Sequence, residues 1–265
     1  MCVNEKTTTK NYHPKIITIA DAFNIPQLEK TRKVYALLPH DYETSGKRYP
    51  VLYLQDAQNL FNDHNPYGNW KIDDHLASLA ARGLGDIIVI AIDHGGKERI
   101  KEYSPYFHRK FGEGQGKFYA AFIIETLKPY VDKNFRTLPE RKHTGIGGSS
   151  MGGLISAYIG IVHPEHFSKL MIFSPSFWYS DEIYFDAFKY KYTLPMQMYI
   201  YGGEKESEYM SKHIRQFKLA LTQHKFAPHM NRFKLDINPE GEHNEYYWSL
   251  VFPQALTWLF FNEAI

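Results

Sequence analysis

One cysteine, Cys2, stands among 265 residues, so no internal disulfide can form and nothing ties the chain to an oxidising compartment. Nor is there a run of about 18 uninterrupted apolar residues. The opening segment Met1-Cys2-Val3-Asn4-Glu5-Lys6-Thr7 lacks the apolar core of a secretory signal. These absences lead us to expect a cytoplasmic protein, with a removed leader left open. Excess charge is missing too: 31 Lys and Arg against 29 Asp and Glu leave +2, with no dense basic run. Nucleic acid and membrane surfaces are therefore not expected partners. Repeats, low-complexity tracts and linker-like shifts are absent, so residues 1–265 read as one domain. Aromatics are abundant, with 20 Tyr, 18 Phe and 4 Trp. Such a supply fills a large core and also lines apolar clefts.

Apolar, β-branched runs of strand length recur at Lys33–Leu38, Val51–Leu54, Ile87–Ile92, Thr144–Gly147, Leu170–Phe173, Met198–Tyr201 and Phe233–Ile237. Between them, Asp73–Arg82, Gly116–Asn134, Met151–Val162, Glu208–His224 and Glu245–Asn262 carry apolar residues at helical spacing. The alternation predicts an α/β fold with a mostly parallel central sheet and helices on both faces. Ile16–Ile19 and Lys33–Leu38 have no clear helix between them and are expected to form an antiparallel N-terminal edge. Ligands of such sheets bind beyond the carboxyl ends of the strands, so catalytic groups should directly follow strands.

Gly148-Ser149-Ser150-Met151-Gly152 has the G-x-S-x-G pattern, with a strand-like approach and a helix-like continuation. A serine hydroxyl must be lifted clear of its neighbours and given a base before it attacks. A tight strand-to-helix turn does the lifting, and small residues two before and two after the serine let the backbone bend. Ser150 is thus the candidate nucleophile. The base must reach it from a loop. His243, in the turn-rich segment Asn238-Pro239-Glu240-Gly241-Glu242-His243-Asn244 after the last strand, is the candidate. His163-Pro164-Glu165-His166 resembles a metal-ligand pair, but Pro164 breaks the helix that would align the rings, and no third ligand is evident. No metal or organic cofactor is expected. His94, His143, His213, His224 and His229 read as solvated or structural.

An acid should hold the imidazole in the correct tautomer. Met198-Tyr199-Ile200-Tyr201-Gly202-Gly203-Glu204-Lys205-Glu206-Ser207 places Glu204 and Glu206 just beyond a strand, and both qualify by location. Ser150, acid, His243 is also the nucleophile–acid–base chain order of α/β-hydrolases. Attack on a carbonyl develops negative charge that backbone N–H groups must meet. Met151 is expected to give one, and Ala57 or Gln58, in the loop after Val51–Leu54, the other.

Together these residues resemble the putative esterase family of α/β-hydrolases, which includes esterase D, feruloyl and acetylxylan esterases, siderophore esterases and mycolyltransferases. Val51-Leu52-Tyr53-Leu54-Gln55-Asp56-Ala57-Gln58-Asn59-Leu60-Phe61 is similar to the family's strand and oxyanion loop, with Ala57 where glycine is usual. Trp70-Lys71-Ile72-Asp73, Arg99 with Glu102-Tyr103-Ser104-Pro105, the Ser150 elbow through Gly153, and Phe173-Ser174-Pro175-Ser176-Phe177-Trp178 match further elements. So do Gly241-Glu242-His243-Asn244-Glu245 with Trp248, and Phe252-Pro253 with Ala255-Leu256. Relatives tend to carry a glycine, two variable residues and then the acid, so Gly203-Glu204-Lys205-Glu206 implies Glu206, with Glu204 as the fallback.

The resemblance implies a serine carboxylic-ester hydrolase working through a Ser-His-Glu triad and an acyl-enzyme, with small-molecule or saccharide esters as substrate. Carbohydrate-linked acetyl or feruloyl esters head the expectations. A siderophore trilactone esterase and an S-formylglutathione-hydrolase-like thioesterase are the alternatives within that class; an acyltransferase and an inactive binding module stand outside it. Trp70, Tyr103, Phe177 and Trp178 are expected at the substrate cleft, near Tyr106, Phe107 and Tyr179. The oligomeric state is left open. The base must be neutral to accept a proton, so activity is expected to fall in acid as imidazole protonates.

Overall fold

Alternating side chains on the central strands divide two apolar faces, and each face acquires its own helical cover. On β3 (Val51–Gln55), Val51 and Tyr53 point into one core and Leu52 and Leu54 into the other. β4 (Ile88–Ile92) repeats this, with Ile88, Ile90 and Ile92 opposite Val89 and Ala91. A strand wetted on one face would alternate apolar with polar residues; these are apolar throughout because neither face meets water. The computed structural model describes residues 11–61, 68–84, 86–190, 194–223 and 231–262. Cys2, His224 and His229 lie outside them.

Among the described residues the sheet has eight strands in the order β1-β2-β4-β3-β5-β6-β7-β8, the remaining six being β1 (Lys15–Ile25), β2 (Lys30–Leu38), β5 (Thr144–Ser149), β6 (Lys169–Phe173), β7 (Met196–Gly203) and β8 (Asn231–Asn238). β1 pairs antiparallel with β2, and β2 antiparallel with β4; every later pairing is parallel. The expected antiparallel N-terminal edge is present, and β1 extends well beyond Ile16–Ile19. Helices α3 (Gly116–Ala121), α4 (Lys128–Asn134), α5 (Met151–Val162), α6 (Glu182–Lys189) and α7 (Met210–Thr222) contribute to one core. Helices α1 (Ile72–Ala81) and α8 (Glu245–Leu256) contribute to the other. A four-residue turn of helix, α2 (Arg99–Glu102), follows β4.

Two sequence expectations shift. Gly116–Asn134 is continuous but widens into a π-helical stretch over Phe122–Leu127, and α8 passes into another at Thr257–Phe261. α6 had no counterpart among the expected helices. Its eight residues expose Phe185 while burying Ile183, Tyr184 and Ala187, which blurs the apolar stripe.

β3 and β5 are neighbours, and their onward connections run in opposite directions, β3 to β4 on one side and β5 to β6 on the other. Such a reversal opens a crevice at the carboxyl ends. The loop after β3 and the turn after β5 meet there.

Candidate active site

Ser150 stands between β5 and α5 with φ 57° and ψ −122°, a strained backbone for a residue bearing a side chain. The turn is held because Ser150 N–H donates to the Phe173 carbonyl at 3.0 Å, and its own carbonyl accepts from Ser176 N–H at 3.0 Å. Small residues are required on both sides. A Cβ on Gly148 would lie 3.0 Å from the Gly152 backbone, and one on Gly152 would lie 2.8 Å from Asp56 Oδ2. Met151 opens α5, where the first N–H groups have no intrahelical acceptor.

Glu206 Oε2 accepts from His243 Nδ1 at 2.7 Å. The carboxylate is held by more than the imidazole. Its Oε1 accepts from Gly203 N–H at 2.6 Å and from Ser174 Oγ at 2.6 Å, and Ser174 in turn accepts from Trp248 Nε1 at 2.8 Å. The Glu206 side chain is 1% exposed and the His243 side chain 40%, an anchored acid beneath an accessible ring. Trp248 also packs edge-on against that ring, with centroids 5.0 Å apart. Glu204 is exposed. The Ser150 hydroxyl pairs with Ser176 Oγ at 3.3 Å; among the described residues its hydrogen bonds do not include His243. Catalytic hydrogen bonds commonly tighten only once substrate is bound.

Ser174 was matched by the sequence only as part of a loop; its link to the carboxylate is a tertiary contact. It is fully buried at φ 43°, and its hydroxyl donates to a charge, an interaction worth about 1.5–3 kcal/mol. Ser174→Ala is therefore expected to lower kcat about tenfold or more with KM nearly unchanged, which steady-state kinetics on one ester would read. An unchanged kcat would show that Gly203 N–H alone orients the acid.

The loop after β3 is braced from below. Asp56 takes φ 61° and its carboxylate receives Arg99 through Nε at 2.7 Å and Nη2 at 2.9 Å. This two-pronged pairing fixes the residue just before Ala57. Ala57 starts the single turn Ala57–Asn59, and the Gln58 side chain is tied to the backbone of His94 on the neighbouring loop.

At the end of β4, burial pushes the Asp93 carboxyl up from its ordinary 3.8 to about 6, and Asp56 adds to the rise, although Lys33 and Arg32 oppose it. Asp93 Oδ1 is buried with no hydrogen-bond partner. An acid whose folded-state pKa is raised is penalised once it ionises. The penalty is absent below about pH 4, grows to about pH 6 and is constant above. Asp93→Asn should therefore add about 1 kcal/mol at pH 8, discounted for partial exposure, and nothing below pH 4. Urea midpoints at the two pH values test this; an equal gain at both would assign the effect to packing.

The expected aromatic cleft needs correction. Trp70 is 2% exposed and stacks on Phe173; Tyr103 and Phe177 are fully buried, Phe177 stacked on Phe217. Tyr106 and Tyr179 are buried too. A rim position in sequence does not decide which way a large ring turns, and here apolar neighbours drew these rings inward. Trp178 is 57% exposed. With Pro175, Glu206, Ser207, Tyr209, Met210, His213 and His243 it lines an open cleft of about 490 Å³. His213, expected to be solvated or structural, thus reaches the cleft wall, where its Nδ1 meets Tyr184 Oη at 2.6 Å. One cluster of potential metal ligands, His40, Asp41 and Asp86, occurs among the described residues, by the amino end of β4 and so at the opposite edge of the sheet; the Lys47 ammonium bridges its two carboxylates at 2.8 and 3.1 Å. No helix among the described residues is long and apolar enough to cross a membrane.

Comparison with known proteins agrees with this architecture. The uncharacterized protein YbbA of Bacillus subtilis is 26% identical over 243 residues, covering 86% of this chain and 92% of YbbA. A solved ferulic acid esterase superposes with a TM-score of 0.66 at 21% identity, over 94% of this chain and 98% of that one. The enterobactin esterase FES of Shigella flexneri gives 0.76 at 18% identity, over 94% of this chain and 60% of its own. At those identities the structural matches speak for the α/β-hydrolase fold. The family model described as "Putative esterase" matches residues 25–259, nearly the whole chain, and the chain belongs to that family of carboxylic-ester hydrolases.

Proposed function

We propose that the protein is a serine esterase in which Ser150 attacks an ester carbonyl, His243 takes the hydroxyl proton, and Glu206 holds the imidazole and stabilises its cation. The observation that carries this reading is the 2.7 Å contact between His243 and an anchored Glu206, at the strand ends where the Ser150 turn also lies. Backbone N–H groups of Met151 and of Ala57 or Gln58 meet the tetrahedral oxyanion. His243 then gives its proton to the departing alcohol, and water repeats the cycle on the acyl-enzyme. In this scheme Ser176, which pairs with the resting nucleophile, yields it to His243 when substrate enters.

For the substrate we favour neutral esters with an apolar or aromatic part seated between Trp178 and Tyr209. Among the described residues no lysine or arginine lines the cleft, and Glu206 lies in its wall, a poor setting for a polyanionic siderophore. Feruloyl and acetyl esters of sugars fit this better than trilactones or glutathione thioesters. The test is a panel of p-nitrophenyl acyl esters, feruloylated and acetylated sugars, a catecholate trilactone and S-formylglutathione, run with wild type and Ser150→Ala. The reading predicts the highest kcat/KM on a neutral carbohydrate ester, abolished by the substitution. Preference for the trilactone would overturn the substrate class. Product formation only in the presence of an acceptor sugar would make the protein an acyltransferase.

A further inference from the structure

The amino ends of the parallel strands, at the opposite edge of the sheet from Ser150, carry a second concave surface. Arg141 and Lys142 precede β5, Ser168 and Lys169 enter β6, Pro195, Met196 and Gln197 enter β7, and Arg232 lies near the start of β8. These eight residues line a groove of about 450 Å³. Four are cationic and none is acidic.

Among the described residues these cations have no carboxylate in ion-pair contact. Lys169 Nζ donates to two neutral oxygens, Gln197 Oε1 at 2.8 Å and the Leu259 carbonyl at 2.6 Å. Arg141 spends its donors on the carbonyls of Pro164, Pro195 and Phe167, and Glu165 acts on it only through space. Arg232 packs its guanidinium against the Trp258 ring, 5.2 Å from the centroid, and its Nη1 is buried with no hydrogen-bond partner. Burial, reinforced by Arg232, pulls the Lys169 ammonium down to about 8. Gathering four cations around one groove with no acidic residue in its lining is unfavourable, and an anion seated there would relieve it.

We propose that this groove binds a small ligand of the phosphate class, gripped by Arg232, Lys169 and Lys142, with Arg141 fixing the wall. The guanidinium offers paired donors matched to phosphate oxygens, and the two ammonium groups add point charge. The groove has the volume of a small-molecule site, and its occupant would lie at the far end of the sheet from the reacting ester.

Calorimetric titration of the full chain with inorganic phosphate, at constant ionic strength set by chloride, tests this. One saturable site is expected. The double variant Lys169→Gln/Arg232→Gln should weaken it at least tenfold, whereas Lys133→Gln, at an exposed position of α4, should leave it unchanged. Lys142 is exposed, so Lys142→Gln should keep the fold and still weaken binding about threefold or more, which covers the event that the double variant does not fold. A parallel titration with glycerol phosphate separates a free-phosphate site from one for phosphomonoesters; tighter binding of either supports the class. No saturable heat at constant ionic strength, or phosphate affinity unaltered in Lys142→Gln and in whichever double variant folds, would overturn the proposal. Ester hydrolysis by these variants should match wild type, so failure here leaves the catalytic reading standing, and the reverse holds too.

Discussion

Ser150→Ala should reduce kcat on any ester substrate by about 10⁴-fold or more while leaving the circular dichroism spectrum intact. The size follows from what the hydroxyl is asked to do. In the proposed mechanism it forms the bond to the acyl carbon and starts the proton transfer to His243, so its removal would end the covalent route and leave only water attack assisted by the backbone donors. The structural cost is small by comparison: the hydroxyl makes one neutral hydrogen bond, to Ser176 at 3.3 Å, worth about 1 kcal/mol at most. Alanine removes one oxygen and leaves the elbow backbone as it was. Steady-state hydrolysis of p-nitrophenyl butyrate checks the rate, and a fluorophosphonate probe checks the site. Wild type should label stoichiometrically and the variant not at all. Undiminished turnover in the variant, or labelling of another serine, would remove Ser150 from the mechanism.

The second large effect concerns the acid. Glu206→Gln is expected to lower kcat by about 10⁴-fold with little change in KM, and Glu204→Gln to change neither by more than about twofold. Glu206 meets three donors: Gly203 N–H, the Ser174 hydroxyl and His243 Nδ1–H. A carboxylate accepts from all three. A carboxamide offers one acceptor oxygen and one NH₂ group, so whichever way it turns, it sets a donor against a donor. If the oxygen keeps Gly203 and Ser174, the NH₂ faces the imidazole and selects the tautomer with its proton on Nε2, which cannot accept a proton from serine. Glu204 faces solvent and has no such role. Kinetics of the two variants side by side read the difference directly. A large loss in Glu204→Gln with a mild one in Glu206→Gln would reverse the assignment.

Much of the scaffold was legible because its signals are local. The apolar runs Val51–Leu54, Ile87–Ile92 and Leu170–Phe173 read as strands, and the structure has strands at Val51–Gln55, Ile88–Ile92 and Lys169–Phe173; Met151–Val162 was bounded correctly at both ends. Ser150 was legible for the same reason, since the elbow requires small residues at fixed offsets. α6 was not, because its apolar residues belong partly to core and partly to surface. The aromatic residues failed differently. Trp70 and Phe177 sit in rim segments, as expected, but their rings turn into the two cores, where stacking on Phe173 and Phe217 outweighs exposure. Trp178, one residue from Phe177, turns outward.

By itself the sequence determined the order of the strands and of the longer helices, the sharp turn that presents Ser150, and the positions after strands where an acid and a base could stand. Those features depend on neighbours within a few residues, and chemistry at that range is written directly in the chain. The resemblance already favoured Glu206 over Glu204; the tertiary structure alone decided that this acid meets His243, that Ser174 and Trp248 brace that carboxylate, and that Asp56 and Arg99 fasten the adjoining loop. It alone gathered Arg141, Lys142, Lys169 and Arg232 from a chain of nearly balanced charge. Each of these contacts joins groups on different strands or loops, and only closing the sheet fixes such distances.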